Sequence, residues 1–233
     1  MSSRNSQNGR RSWKGAPLHC SIEKARREHR HLLEPEVLSL LRDYGLRVPP
    51  HKVVREEPEA LDAARAMGWP VVMKIVSPEI LHKTEAGGVI LDIQNEKHLR
   101  DAFSRLSSLR DQGKRVEGFI IYPFQKHQVE LSVGLIRDAQ FGPVITFGLG
   151  GIWIEVFRDL AFGLAPLSPE EAEEMLESIR GRALLRGFRK QPPADRQSLT
   201  ELLVRVSRMA EKEEAIQEMD LNPVFPLDQG YFI

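Results

Sequence analysis

Histidine, lysine and glycine meet in one stretch of this chain. The connection Ser77-Pro-Glu-Ile-Leu-His-Lys-Thr-Glu-Ala-Gly-Gly-Val89 joins two apolar runs, Val71-Val-Met-Lys-Ile-Val76 and Val89-Ile-Leu-Asp-Ile93. It carries four ionisable side chains, Glu79, His82, Lys83 and Glu85, too many for filler between two core strands. Lys83 stands beside His82, and Gly87 and Gly88 lack the Cβ that would hold a phosphate away from backbone amides. His82 by itself reads more readily as a surface histidine; its neighbours make it a candidate. Lys74 adds to the case. Its stem could snorkel to water from an edge strand, but the apolar residues on both sides of it predict a strand covered on both faces, where an ammonium needs an anion.

Hard oxygen ligands sit near the other end of the chain. In Glu218-Met-Asp-Leu-Asn222, alternate spacing projects Glu218, Asp220 and Asn222 from one face of a strand. Two carboxylates and an amide suit Mg²⁺, which typically binds through one or two carboxylates plus substrate phosphates; the plainer reading is a solvated sheet face. A third feature, Gly148-Leu-Gly-Gly151, is not the dinucleotide fingerprint, because the position for its last glycine is Trp153, and no Walker A sequence occurs. Taken alone that loop is a tight turn.

The elements that must position these residues read as follows. Pro35–Tyr44 has proline in a first turn, apolar Val37, Leu38, Leu41 and Tyr44, and Gly45 at the C-cap position, which predicts a helix. Lys52–Arg55 predicts a short strand, Pro58–Gly68 a second helix, and Pro70–Val76 and Val89–Ile93 strands on either side of the polar connection. Asn95 caps a helix with a stripe of Leu99, Ala102, Phe103, Leu106 and Leu109. Strand-like runs follow at 116–124, 128–136, 144–147 and 152–157, implying an antiparallel portion. Ser168-Pro-Glu-Glu171 is a capping box, and Leu199, Leu202, Leu203, Val206 and Met209 mark a long helix. The order predicts an α/β (α+β) chain in two units, residues 32–115 and 116–233, with a ligand site in the cleft between them.

Composition bounds the function. Of 233 residues 41% are hydrophobic, enough for a core, and 33 basic against 33 acidic residues give no global field for nucleic acid or a membrane surface. The single cysteine, Cys20, makes no internal disulfide, which predicts a reducing, cytoplasmic setting. No apolar run approaches the roughly 18 residues of a membrane span. Residues 1–31 hold eight Lys or Arg against two acids and few large apolar side chains, which predicts a basic, flexible extension. An organellar transit peptide shares that composition but needs a helical apolar face, not evident here.

Taken together, the in-strand lysine, the glycine-containing loop and the distant acidic strand describe a nucleotide site without a P-loop. Four stretches carry a closer likeness: Pro70 through Val89, Val129-Glu-Leu-Ser-Val-Gly134, Phe141-Gly-Pro-Val-Ile-Thr-Phe-Gly-Leu-Gly-Gly-Ile-Trp-Ile-Glu-Val156, and Glu218-Met-Asp-Leu-Asn-Pro223. On these the chain resembles the ATP-grasp fold, and within it the β subunit of ADP-forming acyl-CoA synthetases, the acetate:CoA ligase group, from about residue 32 to the end. The resemblance implies that Lys74 contacts nucleotide phosphates and that Ile120-Ile-Tyr-Pro-Phe124 is the hinge strand reading the adenine edge. Tyr122 would take part there, and Phe124 would donate because Pro123 has no N–H. It further implies a ribose or metal role for Glu130, Mg²⁺ on Asp220 and Asn222 with Glu218 a third ligand, and His82 as a phosphoryl carrier. Lys83 and the amides of Gly87 and Gly88 would supply positive charge to it. Lys190 stands where glycine is more usual in the resembled enzymes.

The resembled enzymes also have CoA-binding and ligase units that these 233 residues lack. A partner α subunit in an α2β2-type hetero-oligomer is therefore expected, with ATP/ADP and Mg²⁺ as cofactors and neither nucleic acid nor membrane as a partner. The alternative is a non-catalytic, nucleotide-binding regulatory or scaffolding module of the same fold.

Overall fold

The structure, a computed structural model, describes residues 19–125, 129–151, 153, 158–187 and 192–233. Its first sheet is antiparallel throughout, in the order β1-β4-β2-β3, from β1 (Lys52–Val54), β2 (Val71–Val76), β3 (Val89–Ile93) and β4 (Gly118–Pro123). Pro58 in the first turn and Gly68 at the end bound α3 (Glu57–Met67), and Asn95, whose side chain accepts the His98 amide, starts α4 (Glu96–Asp111). These two helices bury Ala60, Leu61, Ala64, Leu99 and Leu106 against Val71, Met73, Ile75, Phe119 and Ile121. The opposite face is covered by α2 (Glu34–Asp43), where Leu33 and Leu38 pack on Val72, Val76, Ile120 and Tyr122. Strand alternation thus sends Lys74, between Val72 and Val76, toward α2. The expectation of a strand covered on both faces is met.

Two expectations about this half need correction. Val89–Ile93 is not a core strand: β3 is the sheet edge, and Leu91 is 58% exposed. The run at 116–124 belongs to the first sheet, paired with β1 and β2, so the division between sheets falls after Pro123 and not at residue 115.

The second sheet has the order β7-β6-β5-β8-β9 and is also antiparallel, built from β5 (Leu131–Asp138), β6 (Gly142–Leu149), β7 (Leu160–Leu164), β8 (Glu218–Pro226) and β9 (Tyr231–Phe232). Against one face pack α5 (Pro169–Ser178), α6 (Arg182–Leu185) and α7 (Arg196–Lys212), joining Leu131, Val133, Leu135, Ile145, Phe147, Leu202 and Val206 in the larger core. The Ser168–Glu171 capping box forms as expected. Strand β7 was not anticipated. Its inward positions are Ala161 and Gly163 while Phe162 and Leu164 lie exposed, so the large side chains face the wrong way for an amphipathic signal. Of the run at 152–157 only Trp153 is described, and Lys190 lies outside the described residues.

Residues 19–31 of the expected extension are ordered, and its residues 1–18 lie outside the described residues. Helix α1 (Cys20–Arg27) buries Ala25 and places Ile22 in the larger core, Arg30 reaches both Glu28 and Glu36, and Lys24 pairs with Glu36. A flexible extension over residues 19–31 is therefore ruled out; a helix this short needs only two inward residues, a signal its charges conceal. Helix α2 likewise serves both bodies, since Leu40 and Leu41 enter the larger core. No helix among the described residues is long and apolar enough to cross a membrane.

Candidate active site

Lys74 has its anion, supplied by this chain. Glu34, the first residue of α2, receives Lys74 Nζ on Oε1 at 3.0 Å and Lys83 Nζ on Oε2 at 2.5 Å, and the Tyr122 hydroxyl donates to Oε1 as well. The Lys74 ammonium also lies 4.8 Å from the centre of the Tyr122 ring. Burial on its own would raise the Glu34 pKa; the charges of Lys74 and Lys83 overcome it, helped by the hydrogen bonds from Lys83 and Tyr122, and bring it from 4.5 down to about 2. Burial, then the Glu34 charge, push the Tyr122 hydroxyl upward. Two ammoniums around one carboxylate leave an excess of positive charge, which is what a phosphate site requires. Sequence reasoning missed Glu34 because an acid in the first turn of a helix already has a sufficient explanation in the helix dipole.

Between β2 and β3 the connection is a chain of small turns. Ser77 Oγ accepts the amides of Glu79 and Ile80 and donates to the Arg115 carbonyl at 2.6 Å, while Glu79 accepts the Arg115 amide. His82 is exposed, and its carbonyl accepts the Ala86 amide. The Gly87 amide donates to Thr84 and the Gly88 amide to Lys83, at 3.1 and 2.7 Å. The expectation that these two amides face a phosphate therefore fails here: the glycines serve the loop itself. Gly87 adopts φ +69°, and a Cβ on Gly88 would lie 2.5 Å from the Ile75 side chain. The same correction applies to Phe124 as a hinge donor, since its amide is spent on the Pro70 carbonyl at 2.9 Å.

On the second sheet, β8 buries Leu221 and Val224 and turns Glu218, Asp220 and Asn222 outward, as the alternation required. A bulge interrupts its pairing with β5 between Leu131 and Val133, beside Asn222, a device that re-aims side chains. Ser132 lies 3.2 Å from Asp220, and Asn222 Oδ1 accepts the Gly151 amide at 3.2 Å. Partial burial raises the Asp220 pKa against the lowering effect of hydrogen bonds from Ser132 and Asn222. Gly151 adopts φ +57°, a backbone conformation that strains any side chain, and a Cβ there would meet Glu130 Oε2 at 2.4 Å and push that carboxylate aside. Gly148-Leu-Gly-Gly151 is thus more than a turn: it brings Glu130 and Asn222 against the same glycine.

Asp220 and Asn222 offer two hard oxygens, the sparse set that Mg²⁺ completes with water and phosphate oxygens. Among the described residues no three His, Cys, Asp or Glu side chains converge as a metal cluster. Glu218 does not fit as a third ligand. Four residues along a strand separate it from Asn222 by about 13 Å, and Glu130 is the carboxylate that lies at the Asn222 end.

Residues 23–233 match the model of the ATP-grasp domain family. The β subunit of acetate–CoA ligase [ADP-forming] I from Pyrococcus furiosus is 42% identical over 212 residues, covering 90% of this chain and 91% of that one. This chain belongs to that ATP-grasp β-subunit family. Two solved structures of the dinucleotide-forming acetyl-coenzyme A synthetase 1 of Candidatus Korarchaeum cryptofilum agree. One, with coenzyme A, Ca-AMPCP and HgCl⁺, has TM-score 0.87 at 38% identity and covers 91% of this chain and 94% of its own. The other, with coenzyme A and Mg-AMPPCP, has its phosphohistidine segment pointing towards the nucleotide binding site; its TM-score is 0.80 at 36% identity, again covering 91% and 94%. Longer family members exist, of which the chain spans about 30%. The ATP-grasp α+β architecture and the acetate–CoA ligase relationship expected from the sequence both hold.

Proposed function

We propose that this chain is the nucleotide-side subunit of an ADP-forming acyl-CoA synthetase, exchanging a phosphoryl group between His82 and ADP. With a partner α subunit carrying the CoA-binding and ligase units, in an α2β2-type assembly, it catalyses acyl-CoA + ADP + phosphate ⇌ carboxylic acid + CoA + ATP. One observation carries the site assignment: Lys74 and Lys83 converge on a single carboxylate, with His82 next to Lys83 on the same connection. The relatives' names support the partner and the acyl chemistry.

In the direction of ATP formation, a neutral ring nitrogen of His82 attacks the phosphorus of an acyl phosphate made on the partner. The N–P bond forms as the acyl O–P bond breaks, and the carboxylate leaves. A terminal oxygen of ADP then attacks the same phosphorus, and the N–P bond breaks to return the imidazole. Both transfers move three phosphoryl oxygens with their negative charge, and both need cations held in place. Lys74 and Lys83 fill that role, with Tyr122 fixing the side on which Lys74 sits. Mg²⁺ held by Asp220 and Asn222, with Glu130 close by, supplies charge neutralisation on the nucleotide phosphates when bound.

His82→Ala, assayed with the cognate α subunit, is expected to lose ATP formation by at least about a thousandfold, as removal of a covalent nucleophile does. Wild-type protein incubated with labelled ATP and Mg²⁺ acquires an acid-labile, base-stable label on His82. Wild-type turnover by the variant, or nucleotide binding with no label, overturns the assignment and leaves a non-catalytic module.

A further inference from the structure

Glu34 takes no step in the chemistry just described, yet it contacts both lysines in it. Its carboxylate sits at the start of α2; Lys74 stands on β2, Lys83 on the connection, and Tyr122 on β4. Among the described residues the ion pairs of the connection from Ser77 to Val89 are those of Lys83, and its partner is Glu34. The pair is sheltered: the side chains of Lys83 and Glu34 are 20% and 18% exposed. The body that carries Glu34 is also firmly held, because α2 buries Leu38 against the first sheet and Leu40 and Leu41 in the larger core.

From this geometry we infer that Glu34 is a positioning residue, a clamp that docks the His82-bearing connection by holding Lys83 and Lys74 on one carboxylate. Without it, Lys83 would face the Lys74 ammonium with no counter-charge, and the two would repel. With it, the residue after His82 is tied to the strand that carries the phosphate-contacting lysine. A phosphoryl group arriving at Lys74 and Lys83 competes with the same carboxylate for both, so the clamp loosens as the site loads. The functional weight of the clamp rests on the proposed role of His82; its existence does not.

The test is amide hydrogen exchange of the full-length chain, without nucleotide, followed peptide by peptide. In Glu34→Gln, which keeps the shape and removes the charge, exchange over residues 78–88 should accelerate about tenfold, the factor that one charge-assisted hydrogen bond represents. Peptides from β5, β6 and β8 report the unchanged fold. Lys83→Gln removes the other partner without touching α2 and should give the same acceleration, with no further increase in the double variant. Glu34→Asp should recover part of the protection. Unchanged exchange over 78–88 in Lys83→Gln, or additive effects in the double variant, overturns the clamp. With the α subunit present, Glu34→Gln should lower kcat for ATP formation about tenfold and leave KM for the acyl substrate, which binds the partner, unchanged; an unchanged kcat overturns the clamp's part in the transfer. Failure of His82 to take up label, with the exchange effects intact, sinks the phosphoryl role and spares the clamp.

Discussion

At the residue scale the tightest constraint lies around Gly150 and Gly151. A Cβ on Gly150 would meet the Leu131 carbonyl at 2.7 Å and Asn222 Oδ1 at 2.8 Å. Backbone cannot retreat as a side chain can, so Gly150→Ala should move Asn222 and destabilise the fold by about 1–3 kcal/mol, readable in urea melts. Its Mg²⁺-dependent nucleotide affinity, measured by calorimetry, should fall further than that of Gly113→Ala, where a φ of +80° strains any side chain but a Cβ meets no neighbour. Asp220→Asn should weaken the same Mg²⁺-dependent binding about tenfold or more while leaving thermal stability close to wild type, because Asp220 is open to solvent on its sheet face. Lys74 could be read from the sequence because a charge inside an apolar run conflicts with its surroundings. Glu34 could not, because nothing about an acid before a proline at a helix start conflicts with anything. Asp220 and Asn222 were legible through strand alternation, but the neighbour that distinguishes Glu130 from Glu218 depends on a loop returning from β6, and alternation carries no information about that.

Among the elements, those with punctuation were the legible ones. Helices α3, α4 and α5 carry proline, asparagine or serine at their starts and are found where those residues place them. Among the elements without such marks that were missed are β7, whose large residues face solvent, and α1, whose charges outnumber its two buried apolar side chains. The polar character of the connection from Ser77 to Gly88 was legible from its residue types, but the direction of its amides was not, because a turn can spend a glycine N–H on itself or on a ligand. The weight of α1 can be measured. Ile22 is 5% exposed within the larger core, so Ile22→Ala should cost about 2–4 kcal/mol, read as a shift in the denaturant midpoint. A flexible extension would give no shift.

For the whole molecule, acid is the relevant stress. Glu34 and Glu36 both fall from 4.5 to about 2. For Glu36, burial opposes the shift, while Arg30, the Leu33 amide and Lys24 produce it. A carboxylate with a depressed folded-state pKa contributes stability that is complete above about pH 4.5 and is lost as pH falls through 2. The contribution of Glu34 is up to about 3 kcal/mol on this basis. Stability measured by denaturant should therefore decline between pH 5 and 2, and Glu34→Gln should flatten part of that slope; a slope unaltered by the variant would mean that Glu34 gains no such stabilisation on folding. The arrangement of α1 and α2 has a separate consequence. Ile22, Leu40, Leu41 and Leu46 precede the first sheet's strands in the chain yet line the core that the residues after 130 build. The two sheets are thus interlaced, and the domain cannot be transplanted in halves. A fragment beginning at Val129 would expose the seat of all four side chains and should stay unfolded alone, whereas coexpression with residues 1–125 should restore a soluble, cooperatively melting pair.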